Sequence, residues 1–325
     1  MVSNKNRKVI GIFILAVIVC SVAGYMIYKQ TLTSEEKTIT VVTDEGPITV
    51  VLKCPLPSLP RQIPHLKIVN RSITAEQART IAEEVFNLTG TVRRWNHAYE
   101  VTKAGTDTFI LYDLGGFVWR AYYYGPHVAP LEENAERVAE RFVEKLKDKE
   151  LTPRHPLIEI EEGRVTESSV GDTVEIVFNL KFKGIVMGEI KVNVGEGGVI
   201  AGVLGDWREV TPEGNISLIT VEEERKLLPE KLVQELNREL SRYSVSRSSY
   251  PYIKKVTVED ITLEYFSGGL TEFQDHLLPI YLFDFKLEWE GENVDLVYGP
   301  EVTYYSALSA TDGEYIYGLS LTGIS

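Results

Sequence analysis

Residues 173–182, TVEIVFNLKF, place Val174, Ile176, Phe178, Leu180 and Phe182 on one side of an extended chain and mostly polar residues on the other. Successive side chains of a strand point to opposite faces, so this alternation describes a sheet with one buried and one wet face. Upstream, Leu131–Leu146 sets Leu131, Ala135, Val138, Ala139, Phe142, Val143 and Leu146 on one helical stripe, with Glu, Arg and Lys over the remainder. Downstream, EIKVNV and VIAGVLGDW are two more strands, separated by the turn residues Gly195 to Gly198. The unit is a helix followed by antiparallel strands, with Phe142 expected against the sheet of Phe178, Leu180 and Phe182.

The same order appears on either side. Thr74 opens a helix with Gln77 as its capping-box partner, and Ala78, Ile81, Ala82, Val85 and Phe86 follow on one face until Gly90 ends it. Strands are then expected at about 92–101, 108–112 and 117–124, the last two joined by Gly115-Gly116. A third helix opens at Thr220 with Glu223 as partner and carries Leu227, Leu228, Leu232, Val233, Leu236 and Leu240; Pro229 within it predicts a kink or a broken first turn. Strands follow in KKVTVEDITLEYF, in IYLFDFKLEW and between Tyr298 and Leu321. Helix-then-sheet order argues for an α+β architecture, not a doubly wound parallel one.

Ahead of these units, TITVVTDEGPITVVL alternates on both sides of Glu45-Gly46 and reads as a hairpin able to pair with a later sheet edge. Earlier still, residues 9–28, VIGIFILAVIVCSVAGYMIY, contain no charge and are flanked by Lys5, Arg7, Lys8 and Lys29. About 20 apolar residues match a helix crossing a hydrocarbon core of about 30 Å. The basic N-terminal flank predicts a cytoplasmic N-terminus and an extracytoplasmic body. A cleaved signal peptide and a lipidated Cys20 are the alternatives to this retained anchor.

The chain carries a net charge of −13, and beyond residue 30 it has 30 basic against 47 acidic side chains. Such a surface repels phosphates, so nucleic acid is excluded as a partner. Cys20 and Cys54 fall on opposite sides of the membrane boundary and cannot pair, so Cys54, which precedes a proline-rich segment, is either a free thiol or an intermolecular bridge.

Chemistry is sparse. His65, His97, His127, His155 and His276 stand singly, and no zinc, calcium or P-loop motif and no nucleophile elbow occurs, so neither metal nor cofactor is expected. Asp284 lies in an aromatic strand, but its parity with Lys286 and Glu288 gives it a solvated face. Aromatic residues are dense: Phe117, Trp119 and Tyr123 alternate with Tyr122 and Tyr124, and Tyr304 follows later. Tyr122, Tyr124 and Tyr304 are the candidate binding residues, either as an exposed partner patch or as the wall of a groove between units, the competing reading being burial of both faces. Asn70, Asn87 and Asn215 begin glycosylation triplets.

Three segments, ITAEQARTIAEEVFNLTG (73–90) after LPSLPRQIPHLKIV, then GVIAGVLGDWREVTPEGNISLITVEEE (198–224) and LLPIYLFDFKLEWEG (277–291), make the chain resemble PepSY-like proteins, in particular the membrane-anchored YycH/YycI type of extracytoplasmic regulator. The resemblance implies a non-enzymatic, sensor-like ectodomain of helix-plus-antiparallel-sheet modules that binds another membrane or envelope protein. The expected organisation is an anchor over 1–30, hairpin and linker over 31–72, and modules over 73–128, 129–216 and 217–325. A receptor holding a small molecule or envelope polymer between modules is the alternative, and a hydrolase the third reading.

Overall fold

The computed structural model describes residues 37–57, 59–103, 107–120, 132–166, 173–242, 246–272, 274–291 and 303–317. The stretch expected to anchor the chain, residues 9–28, lies outside these. Among the described residues no helix is long and apolar enough to cross a membrane.

Strands β1 (Lys37–Thr43) and β2 (Gly46–Leu52) form the hairpin predicted around Glu45-Gly46, with Thr43 opposite Gly46, whose φ of 120° suits glycine. β3 (Gln62–Ile68) leads to helix α1 (Ala75–Phe86). The capping box is present: Thr74 Oγ1 accepts from the Gln77 amide at 3.2 Å, and Gln77 Oε1 accepts from the Thr74 amide at 2.8 Å. Asn87, left-handed at φ 52°, closes the helix. Gly90 is needed three residues later, because a Cβ there would lie 2.3 Å from the Thr102 carbonyl oxygen.

β4 (Thr91–Trp95), β5 (Ala98–Thr102), β6 (Thr108–Tyr112) and β7 (Phe117–Arg120) form an antiparallel meander over α1. Helix α2 (Glu132–Asp148) packs on β10 (Val174–Phe182) and β11 (Ile185–Gly195), with the short β8 (Ile158–Ile160) and β9 (Arg164–Val165) along the far side of β10. β12 (Val199–Asp206) returns along β11, and β13 (Val210–Ser217) pairs with β3 as a separate two-stranded sheet. Helix α3 (Val221–Arg242) packs on β1 and β2. β14 (Tyr252–Phe266), β15 (Leu278–Glu290), β16 (Tyr304–Ser309) and β17 (Tyr315–Tyr317) complete the fold.

The expected architecture beyond the anchor, repeated helix-plus-antiparallel-sheet modules, is corrected by the sheet. β7 pairs with β12, β11 with β14, and β2 runs parallel to β14, so strands from every expected unit join one 15-stranded mixed sheet. Among the described residues the fold is mostly β, with three α-helices laid on that sheet over one continuous apolar cluster. Open strand edges present unpaired N–H and C=O groups. Joining edge to edge satisfies them in a way that separate modules would not.

Two further expectations change. Phe142 is half-buried and leans on Phe86 of α1 at 5.9 Å between ring centroids, while Ala135, Ala139, Val143 and Leu146 are the buried residues beneath α2. The first turn of α3 is not broken, and the helix runs on through Pro229, which is buried along with Leu228 and Leu232. Burial of that apolar stripe holds the helix together where one backbone hydrogen bond is missing.

Candidate functional site

Along the edge of β11 opposite β10, Glu189–Gly195 pair with β12, and Val186 alone bridges in parallel to Glu264 of β14. The sheet forks there. Gly188 makes the fork possible, because a Cβ at that position would meet the Asp206 carbonyl oxygen at 2.4 Å and the Trp207 side chain at 3.0 Å. Between the diverging strands lies a cleft of about 610 Å³, walled by β10, the start of β11, the end of β12, the end of β14 with Ser267 and Gly268, and Tyr317.

Charge in this cleft is unevenly compensated. Glu161 receives Lys181 Nζ at 2.5 Å and Asn179 Nδ2 at 3.1 Å, and these hydrogen bonds hold its carboxyl below the ordinary range. Glu189 is paired with Lys191 at 2.6 Å. Asp206 and Glu264 are different. Burial pushes the Asp206 carboxyl up and the charge of Glu189 adds to this, while Arg208 and Lys191 oppose it; its Oδ1 is buried with no hydrogen-bond partner. Burial likewise raises Glu264, which receives a 3.5 Å contact from Thr262 Oγ1, with Glu189 and Asp284 raising it further and Arg164 opposing. The Tyr317 hydroxyl is pushed up to about 12 by burial and then by the charge of Glu264. A dehydrated carboxylate without a partner favours either a proton or another cation.

A second hollow of about 410 Å³ lies between α1 and the end of α2. Its cations each have a carboxylate neighbour, Lys149 with Glu84 at 2.5 Å, Arg154 with Glu150 at 2.6 Å and Arg71 with Glu209 at 3.7 Å, and Arg71 Nε and Nη1 are buried without a hydrogen-bond partner. The fork cleft is the larger of the two and holds the buried, unpartnered Asp206 carboxylate oxygen.

The sequence candidates fall elsewhere. Tyr122 and Tyr124 lie outside the described residues. Tyr304 is buried, because its cross-strand partner is Phe285 and it faces the core with that ring, 6.0 Å away. The outward tyrosine of β16 is Tyr305. Asp284 is half-buried opposite Asp260, and burial followed by Asp260 and Glu259 raises its carboxyl. Asn70, Asn87 and Asn215 are all exposed.

Among the described residues no three His, Cys, Asp or Glu side chains converge to hold a metal ion. Two histidines that stand apart in sequence do meet: the rings of His65 and His276 stack with centroids 4.1 Å apart and planes 9° from parallel. Asp206, Glu189 and Glu264 were not singled out from sequence. Acidic residues are common in this chain, and nothing local tells which of them share a cleft.

No family model matches the chain, and no curated protein does. A solved structure of an uncharacterized protein from Eubacterium rectale ATCC 33656 aligns over 89% of this chain and 98% of its own, at 15% identity and a TM-score of 0.44.

Proposed function

We propose that this chain is a non-enzymatic, sensor-like binding protein that holds a small organic cation, an amine or guanidinium, in the cleft at the sheet fork. The observation carrying this reading is the Asp206 Oδ1 atom, buried with no hydrogen-bond partner in the same cleft as Glu264, both carboxyls being raised by burial. A cationic head group would supply the missing charge and hydrogen bonds. Binding is favoured over hydrolysis because the two carboxyls are each perturbed by Glu189 and not by one another. An acid–base pair works through mutual proximity that drives the two pKa values apart. The fork also suits signalling: β11 and β14 are joined by a single bridge, so an occupant touching both would bias their junction, which a protein partner could read.

Titration calorimetry of the full chain with putrescine, spermidine, arginine and choline, against glucose and citrate, tests the reading. At least one cation should bind at pH 8. Asp206→Asn or Glu264→Gln should weaken it by about tenfold or more, the worth of one charge-assisted hydrogen bond. Binding of glucose or citrate in preference to every cation, or cation binding indifferent to both substitutions, would overturn it.

A further inference from the structure

We propose that the rim of this cleft is a pH-sensitive latch, kept closed by the His65–His276 stack and released when both imidazoles carry protons. Its functional meaning rests on the cleft reading above; its mechanics do not. β14 ends in Phe266, and Phe266, Ser267 and Gly268 form one wall of the cleft. From there the chain returns towards β15 through a segment tied down at several points. Arg208 Nη2 donates to the Gly269 carbonyl at 2.5 Å, and Gln274 Nε2 donates to the carbonyls of His276 at 2.5 Å and Phe266 at 3.4 Å.

The segment's far end lies against β3. The Ile68 amide donates to the Asp275 carbonyl at 2.8 Å, the Leu277 amide donates to the Leu66 carbonyl at 2.9 Å, and Lys67 bridges to His276. The His65–His276 stack clasps this junction. Gln274 therefore links the wall of the cleft directly to the residue whose ring is stacked.

The charged groups around the stack are few. From β13, Glu213 Oε2 lies 3.0 Å from His276 Nε2, and from β3, Lys67 Nζ lies 3.3 Å from Glu213 Oε1. Burial and then His276 push His65 below its ordinary value, with Glu213 opposing. One proton on the pair can be shared with Glu213. A second places two cations face to face at 4.1 Å with Lys67 beside them and one carboxylate to serve all three. Like charges about 4 Å apart repel by an amount equivalent to roughly five-fold in water and several hundred-fold in a partly dehydrated site. The stack should part, and the clasp on the rim with it.

Hydrogen exchange of the full chain without ligand tests this, with rates corrected for the intrinsic pH dependence. Between pH 7.5 and 5.0, amides of residues 266–272 and 274–277 should open about tenfold more often, while those in the middle of β15 should not change. His65→Phe keeps an aromatic ring in the stack but cannot take a proton, and it should lose the response while matching the wild type at pH 7.5. An unchanged rim in the wild type, or a tenfold response that survives in His65→Phe, would overturn the latch. If the rim opens in acid and no cation binds, the cleft reading fails and the latch stands. If a cation binds and the rim ignores pH, only the latch fails.

Discussion

Glu224→Gln should make the protein more stable, and by an amount that depends on pH. Glu224 lies in the first turns of α3, behind the Thr220–Glu223 capping box, with 0% of its surface exposed. Neither of its carboxyl oxygens has a hydrogen-bond partner. Asp312 and Gly313 lie across from it; a Cβ on Gly313 would be 3.6 Å from Glu224 Oε2. Burial, then the charges of Asp312 and Glu223, push its carboxyl from an ordinary 4.5 up to about 8, against the weaker pull of Lys231. Between those two values the folded protein keeps a proton that the unfolded chain has released, so stability falls as pH rises through this window. At pH 7 the interval of about 2.5 units corresponds to a cost on the order of 3 kcal/mol at 1.36 kcal/mol per unit. That is a large share of the roughly 5 to 15 kcal/mol typical of a folded domain.

Glutamine has nearly the same shape and no charge to release. Urea denaturation at pH 4, 5.5, 7 and 8.5 should show the two proteins close together at pH 4 and the variant ahead by about 3 kcal/mol at pH 7. The gap should widen until pH about 8 and then level off. A difference that is flat across this range would show that Glu224 ionises alike in both states and would refute the reasoning. So would a variant that is less stable at pH 7.

Leu146→Ala, beneath α2 and fully buried, should cost about 2 to 5 kcal/mol in the same denaturation assay. Phe142→Ala, half-exposed against Phe86, should cost only about 1 to 2 kcal/mol; the reverse order would show that α2 docks through the other stripe. Thr74→Ala removes the acceptor for the Gln77 amide and should cost about 1 kcal/mol, visible as a lower melting temperature. Cys54 is buried, and burial, followed by Asp260, raises its thiol, so an aromatic disulfide reagent at pH 8 should label it slowly in the native protein and at once in urea. Fast native labelling would mean that the segment after β2 is open.

Local order was legible in the sequence because it is a local property. The period of two in 173–182 follows from the pleat of one strand, and its inward set, Val174, Ile176, Phe178, Leu180 and Phe182, is buried, joined from the other face by Val177. The Thr74–Gln77 and Thr220–Glu223 boxes and the Glu45-Gly46 hairpin each depend on residues a few positions apart, and each formed as read. Strand partnership is another matter. The same apolar face could be covered within a small module or by a large sheet, and only the closure of open edges made β7 choose β12 and β14 choose β2 and β11. Register then decided that Tyr304 points inward and Tyr305 outward. The fork, its buried carboxyls and the His65–His276 stack all join residues far apart in the chain, where charge, burial and distance come into being only once the backbone has closed.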